Sequence, residues 1–475
     1  MTQQREVQSP EVGTGLNRTL GVPQIVFMVV AFAAPLTVFA GLIPLMLGTG
    51  NGIGTPVDFM IVGIVLVLFT VGYSAMTPEV RNAGAFYSYV QRGLGTAIGL
   101  GAAALALVTY AVLIVSVTGY LGAAARNVLT TFTDVSVPWW ILSAAGLAAI
   151  GYLGYRNVEV SARVLGVLLV AEIGVVALVD LAIVLRGGAE GLSAQPLSWG
   201  AFTSGATGTG IMFAVFGFVG FEATAVFRSE AKDPDRTVPR ATYIAVILIA
   251  VIYAFSSWAM INGLGMSRAA EVAAADPEGL APALATRYVS QVAHDGVQVL
   301  LVTSFFACIL TAHNVVARYL FALGRQDALP RRLGHVHPAH GSPHVASLVT
   351  SAVISVLVAV TAIAGLDPVT QVYAWFGGAG TLGLITLLAL TSAAIVVHFL
   401  RERTTGLWRG TVAPVLALAA LGAILVLVVS NFGVLIGSGT LADVFLAVLV
   451  AAFVAGLAWA LVLRRNRPDA YATLE

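Results

Sequence analysis

Charged residues are scarce in this chain. Asp, Glu, Lys and Arg make up 10% of its 475 residues, hydrophobic residues make up 58%, and mean hydropathy is +0.92. A soluble domain carries about 25% charged residues, so most of this surface must face lipid. Cysteine is nearly absent. With Cys308 alone, an intrachain disulfide and a cysteine-based metal cluster are excluded, and in its apolar run this thiol reads as packing. Basic and acidic residues nearly balance, 24 against 23, which argues against a nucleic-acid partner. There is no Walker Gly-Lys-Ser/Thr loop for ATP-driven pumping. HExxH helices and aspartate-rich magnesium pairs are also missing, which argues against a polytopic membrane enzyme. No cofactor is called for. The first 20 residues are polar and lack the apolar core of a signal peptide.

Long apolar runs fill the rest. Crossing about 30 Å of hydrocarbon takes roughly 20 residues, and twelve runs qualify, near 22–47, 56–76, 96–129, 137–155, 158–186, 204–230, 238–264, 294–324, 343–366, 368–400, 410–431 and 440–463. Their uniform apolarity, without period-2 alternation, predicts helices rather than barrel strands. The basic residues divide unevenly between the two sides, 20 against four; Arg126, Arg186, Arg268 and Arg287 make up the smaller set. By the positive-inside rule, with an even helix count, both termini lie in the cytoplasm of a cell-membrane protein. The one sizeable outer loop is 265–293. Inside, 231–240 and 325–343 are polar, Pro-containing loops.

Two runs carry helix-breaking chemistry near their middles. Pro35 interrupts AFAAPLTVFAG in the first, where it has no amide to donate and clashes with the Ala31 carbonyl. Gly217 and Gly220 stand beside Glu222 in the sixth. Helices 1 and 6 occupy equivalent places in two five-helix halves, and paired interruptions at such places point to a transporter site between inverted repeats. An ionised group near a helix centre costs about 2.5–3.5 kcal/mol on insertion scales, so deep carboxyls also need a reason. Glu172 sits near the middle of helix 5, where apolar surroundings favour the neutral acid and suit it to carry a proton. Asp180, towards the outer end of the same helix, reads as interfacial. His313 and Asn314 in helix 8 read as partners in an interhelical hydrogen bond. His335, His337, His340 and His344 fit neither helical ligation nor a Cys/His zinc motif, so no metal site is expected there.

Three stretches together resemble the amino acid–polyamine–organocation (APC) permeases, over nearly the whole chain. PEVRNAGAFYSYVQRGLG follows helix 2, with Pro78, Ala83, Gly84, Tyr87, Tyr89 and Gly95 matching that family's signature. GFVGFEATAVFRSEAKDPDRTVPRA spans the helix 6 break, and NVVARYLFALGRQDALPRRLGHVHP follows helix 8. The resemblance implies an all-α polytopic membrane protein with a leucine-transporter-like fold, and secondary active transport of amino acids or related amines, usually coupled to protons. The repeats would then cover 22–186 and 204–400, with helices 11 and 12 over 408–463 and cytoplasmic tails at 1–21 and 464–475. In such folds a substrate carboxylate rests on amides freed in helix 1, and its ammonium on carbonyls freed in helices 1 and 6.

The same resemblance implies a substrate site formed by Ala31, Ala33, Ala34, Pro35, Leu36, Thr37, Tyr110, Phe216, Gly217, Val219, Gly220 and Asn314. Phe216 matches an aromatic that closes over substrate in the family. Glu172 and Glu222 are candidates for proton coupling or for the counter-ion of a cation. Structural alternatives stand beside both: a hydrogen-bonded core glutamate for Glu172, and a cap on freed amides for Glu222. Where most of the family has a Gly-Ser-Gly-like run, this chain has Ala33-Ala34-Pro35-Leu36-Thr37. Pro35 removes one donor and should leave the Ala31 carbonyl unpaired. With no lysine at depth and an acidic Glu172, the reading tilts towards amines. Exchange of an amino acid for its decarboxylated product is the runner-up to proton symport, and a substrate sensor is a reading from another class.

Overall fold

The computed structural model describes residues 20–80, 85–156, 162–222, 224, 231–402, 405–472 and 474. Ala83, Gly84, Arg5, Arg18, Arg81, Arg228 and Arg403 lie outside them, so those parts of the signature and of the charge pattern are not placed. Among the described residues the architecture is helical, and the one β-type contact is the isolated bridge between Leu20 and Ala231. Ten segments among the described residues are long and apolar enough to cross a membrane. The other two expected spans correspond to shorter pieces. Near 137–155 lies an 18-residue helix diluted by Gly, Tyr and Arg156, and near 204–230 an 11-residue helix stops at Gly217.

In chain order, α1 (Val22–Ala33) leads through Pro35–Thr37 and a wide turn, Val38–Leu42, into α2 (Ile43–Thr49). Then come α3 (Thr55–Met76), α4 (Ala85–Leu94), α5 (Thr96–Thr133), α6 (Trp139–Arg156) and α7 (Ala162–Leu185). The second half begins with α8 (Thr207–Gly217) and α9 (Pro234–Leu264). Two short helices, α10 (Ala269–Ala275) and α11 (Leu280–Tyr288), precede α12 (Gln291–Arg325), α13 (His344–Ile363) and α14 (Gly377–Glu402). Finally, α15 (Ala413–Ile436) and α16 (Gly439–Asn466) run to the C-terminal turn α17 (Pro468–Ala472).

Burial separates centre from rim. The apolar window of Val22–Thr49 is 78% buried, whereas that of Gly439–Asn466 is 22% buried. The first segment is therefore the core of the bundle and the last a peripheral stave, whose exposed Val444, Val450, Val454 and Leu461 present an apolar face suited to acyl chains. Polar caps set local boundaries. The Ser290 hydroxyl accepts from the Ala293 amide at the start of α12, and Asp367 Oδ1 accepts from the Val369 and Thr370 amides ahead of α14. The loop between α9 and α12 is anchored to the core at Gly48, where a Cβ would stand 2.8 Å from the Ala274 backbone. Only glycine lets α2 and α10 approach this closely.

Candidate functional site

The first break is centred on Ala34. With φ 48° it lies in the left-handed region, an unusual place for an alanine, and Pro35 follows to start a new turn. The Ala34 amide bonds to the Val30 carbonyl at 3.1 Å and to the Ala31 carbonyl at 3.3 Å. That corrects one expectation: the Ala31 carbonyl is not left unpaired, because the reversal at Ala34 swings its amide back over the last turn. Thr37 is also engaged. Its amide (2.9 Å) and its hydroxyl (2.7 Å) both donate to the Ala34 carbonyl. Two donors of the first break that could otherwise meet a substrate carboxylate are thus spent within it. The Ala33 carbonyl accepts from the Tyr253 hydroxyl at 3.0 Å, and the Ala40 carbonyl from Tyr120 at 3.1 Å.

The second break faces the first. After Gly217 the chain makes tight turns, with the Val219 amide on the Phe216 carbonyl and the Phe221 amide on the Phe218 carbonyl. Gly220 has φ +105°, and a Cβ there would fall 2.5 Å from the Phe32 ring. Phe32, one residue before Ala33, therefore lies flush against the second break. Glu222 is buried and held from two sides. The Tyr110 hydroxyl donates to Oε1 at 2.5 Å, and the Gly220 amide donates to Oε2 at 2.9 Å. The amide it holds thus belongs to the break itself, two residues upstream.

Between the breaks lies a cavity of about 50 Å³, room for one or two waters. Of the residues expected at the site, Ala33, Thr37, Tyr110, Phe216, Gly217 and Val219 line it. Ala31, Ala34, Pro35, Leu36, Gly220 and Asn314 do not; they shape the breaks or lie behind the wall. The sequence reading missed Phe32, Val117, Phe305, Cys308 and Tyr373, which also line it along with several aliphatic side chains. Cys308 therefore packs as expected, but at the cavity wall. Phe305 had a usable signal, since it precedes Cys308 by three residues and Ala312 by seven on one face of α12. An aromatic cover closes one end: Tyr120 stacks on Phe305 at 4.7 Å, and Tyr373 packs on Tyr120 (5.0 Å) and Phe216 (5.4 Å).

Glu172 and Asp180 both lie on the buried stripe of α7, which also carries Leu169, Val176, Val179 and Ile183. Glu172 Oε2 accepts from the Ser304 hydroxyl at 2.8 Å, and Ser304 adjoins Phe305 of the cavity wall on α12. It therefore stands just behind the cavity wall. Asp180, read as interfacial, packs between helices: it is 2% exposed, Ser256 donates to Oδ2 at 2.5 Å, and Oδ1 has no partner. The α7 stripe turns it inward towards α9. His313 Nε2 pairs with Ser351 of α13 at 2.9 Å, as the interhelical reading expected. Three of the four loop histidines gather on Tyr155, with ring centroids 5.4–6.2 Å away, and His337 Nδ1 accepts the Ala339 and His340 amides.

A buried chamber between the broken first span and the turns that end α8, within a bundle of apolar spans, suits a membrane transporter. The sequence profile of the amino acid permease family matches residues 20–461, and the chain belongs to that family, within the APC superfamily. Among its relatives is the low-affinity putrescine importer PlaP of Escherichia coli K12, 24% identical over 71% of this chain and 74% of that protein. The branched-chain amino acid permease BcaP of Bacillus subtilis is 24% identical over 77% of this chain and 78% of its own length. An uncharacterised transporter of Mycobacterium tuberculosis H37Rv is 32% identical over 41% and 40% of the two chains. The chain is a transporter of amino acids or amines and not an enzyme.

Proposed function

We propose that the chain is a secondary active transporter that couples proton entry to uptake of a small organic amine or amino acid across the cell membrane, with both termini cytoplasmic. Twelve crossings in a leucine-transporter-like arrangement, with alternating access around the two breaks, are part of this reading. The observation that carries it is the cavity itself, lined by Ala33 and Thr37 from the first break and by Phe216, Gly217 and Val219 from the second. Its volume of about 50 Å³ and its aromatic walls favour a small ligand, with Phe216 and Tyr373 as the cover that parts to admit it.

Amines are favoured over carboxylates by the Thr37 bonds. With its amide and hydroxyl committed to the Ala34 carbonyl, the break offers a carboxylate little, whereas Glu172 and Glu222 flank the cavity with negative charge or with exchangeable protons. Glu172, held by one serine hydroxyl beside the wall, is the residue we assign to proton coupling. Glu222 joins the second break to Tyr110 and is assigned to linking ligand binding with movement of that break. Exchange of substrates is the second reading, and the serine/threonine exchanger SteT among the relatives keeps it in view.

The test is ligand-dependent thermal stabilisation of the purified protein by matched pairs, each amino acid beside its decarboxylated amine. A native-state ligand at about 100 times its Kd adds about 2.7 kcal/mol of stability. Amines should raise the melting temperature at least as much as their amino acids. Stabilisation by amino acids alone would show that the first break still holds a carboxylate.

A further inference from the structure

A cluster of metal-ligating side chains that takes no part in either break stands at the end of α14. His398 and Glu402 are four residues apart on that helix, so both project from one face. Glu79 reaches them from the single turn Thr77–Glu79 that closes α3. One carboxylate oxygen from each glutamate and one ring nitrogen of His398 all lie within 4.8 Å of one another. Packed elements hold the three in place. A Cβ at Gly93 would run into the Ala394 carbonyl, one turn before His398, so α4 lies directly against α14. The Arg401 guanidinium donates to the Gly93 carbonyl at 3.5 Å. Thr77 anchors the Glu79 turn: its hydroxyl donates to the Tyr73 carbonyl at 2.8 Å and pairs with the Tyr89 hydroxyl of α4 at 2.9 Å.

Two partly exposed glutamates alone would signify little; His398 is what points to a ligand. Its side chain is 3% exposed, yet neither ring nitrogen makes a hydrogen bond among the described residues. Nδ1 faces Glu402 Oε1 at 3.9 Å, too far for a hydrogen bond, and Nε2 is buried with no partner. Burying an imidazole without matching its polar atoms costs free energy, and a metal ion between the carboxylates would take up the Nδ1 lone pair. Arg92 competes for the same carboxylates. Its guanidinium lies 3.9 Å from Glu79 and 3.6 Å from Glu402, and the side chain is 48% exposed, so these contacts hold the glutamates only weakly.

We propose that Glu79, His398 and Glu402 bind a divalent transition-metal ion of the zinc type, with water completing the shell. Zinc takes imidazole nitrogen and carboxylate oxygen at about 2.0–2.2 Å, and tetrahedral bonds of that length put ligand atoms about 3.3 Å apart. The two glutamates, both partly exposed, swing in to meet that spacing while the buried ring stays fixed. Magnesium and calcium prefer oxygen-only shells, so the imidazole selects against them. The bound ion ties the turn after α3 to the end of α14 and displaces the Arg92 guanidinium.

The test is equilibrium dialysis of radioactive zinc against the chelator-stripped, tag-free, full-length protein, with melting temperature followed in parallel. The native chain should bind zinc saturably, melt higher with it, and keep it in excess magnesium. Loss of a mere outer-shell partner costs about 10- to 100-fold in metal affinity, so loss of a ligand in Glu79→Gln or Glu402→Gln should weaken binding at least about tenfold. Both positions are partly exposed, which keeps the fold intact if His398→Gln disturbs it. Arg92→Ala, which removes the competing charge, should tighten binding several-fold, a gain that a purely structural ion-pair network does not produce. X-ray absorption of the zinc-loaded protein should show an imidazole bound to the metal, absent in His398→Gln. No saturable binding, binding indifferent to both glutamate substitutions, or zinc held by the loop histidines and lost instead in His340→Gln would overturn the proposal.

Discussion

Tyr110 and Glu222 offer the sharpest test of how the second break is held. Glu222 is 3% exposed and has two donors, one of which is the Tyr110 hydroxyl at 2.5 Å. Tyr110→Phe removes that donor and leaves Oε1 without its partner in a buried site. Loss of a hydrogen bond to a charged acceptor costs about 1.5–3 kcal/mol, or about 10- to 150-fold in the unfolding equilibrium. In Glu222→Gln the acceptor is neutral, and the same Tyr110→Phe change should cost about 0.5–1.5 kcal/mol. The coupling between the two changes should therefore be about 1 kcal/mol or more, within the range seen for residues in contact. Unfolding of the four proteins by sodium dodecyl sulfate in mixed micelles, followed by tryptophan fluorescence, measures it. A coupling of zero would mean that Tyr110 does not hold Glu222, and the account of the break would fail with it.

Other perturbations follow from the same geometry. Gly220→Ala puts a Cβ 2.5 Å from the Phe32 ring at φ +105°, so a cost of about 1–3 kcal/mol is expected, together with slow transport; native uptake rates would refute it. Ser256→Ala leaves buried Asp180 with no donor and should cost about 1–3 kcal/mol, whereas Asp180→Asn, which removes the potential charge, should cost less; the reverse order in mixed-micelle unfolding would contradict the pairing. Arg92 lies 3.9 Å from Glu79 and 3.6 Å from Glu402, but the groups are 35–48% exposed, so Arg92→Ala should change stability by less than about 1 kcal/mol. The His337 ring is held below its usual range by partial burial and by His340 and His344. Its neutral form thus favours the folded loop, a contribution present above about pH 6.5 and lost as pH falls through the lowered folded value. Hydrogen exchange over 335–344, corrected for intrinsic rates, should speed up on acidification from about pH 7.5 to 5.5, and unchanged protection would count against the packed trio.

Much of this architecture is legible in the chain because membranes impose simple rules. Long apolar runs without alternation must be helices, since backbone groups in lipid find partners only within their own segment. For that reason ten of the expected spans reappear nearly as read. The other two blurred where composition thins: α6 carries Gly, Tyr and Arg156, and α8 ends at the glycines of the second break. Pro35 and Gly220 mark both breaks because proline and positive-φ glycine act locally. The detail at Ala34 did not show, because the return of its amide to Ala31 depends on a left-handed turn that alanine seldom takes. The pairing of Asp180 with Ser256 did not show for another reason: it depends on which face of α7 meets α9, and a uniformly apolar helix gives that face no hydrophobic contrast. Phe305, Tyr373 and Tyr120 meet across three helices, and such meetings have no local signature.

The central claim is that a proton gradient drives a small amine or amino acid through the cavity between the two breaks. It is met most directly by reconstituting the protein in liposomes and following uptake of radiolabelled 1,4-diaminobutane and of a small neutral amino acid under an imposed acid-outside gradient. The account predicts accumulation above the outside concentration, collapse with a protonophore, and loss of accumulation in Glu172→Gln with tracer exchange retained. Uptake that ignores the gradient, or that Glu172→Gln leaves fully concentrative, would contradict it.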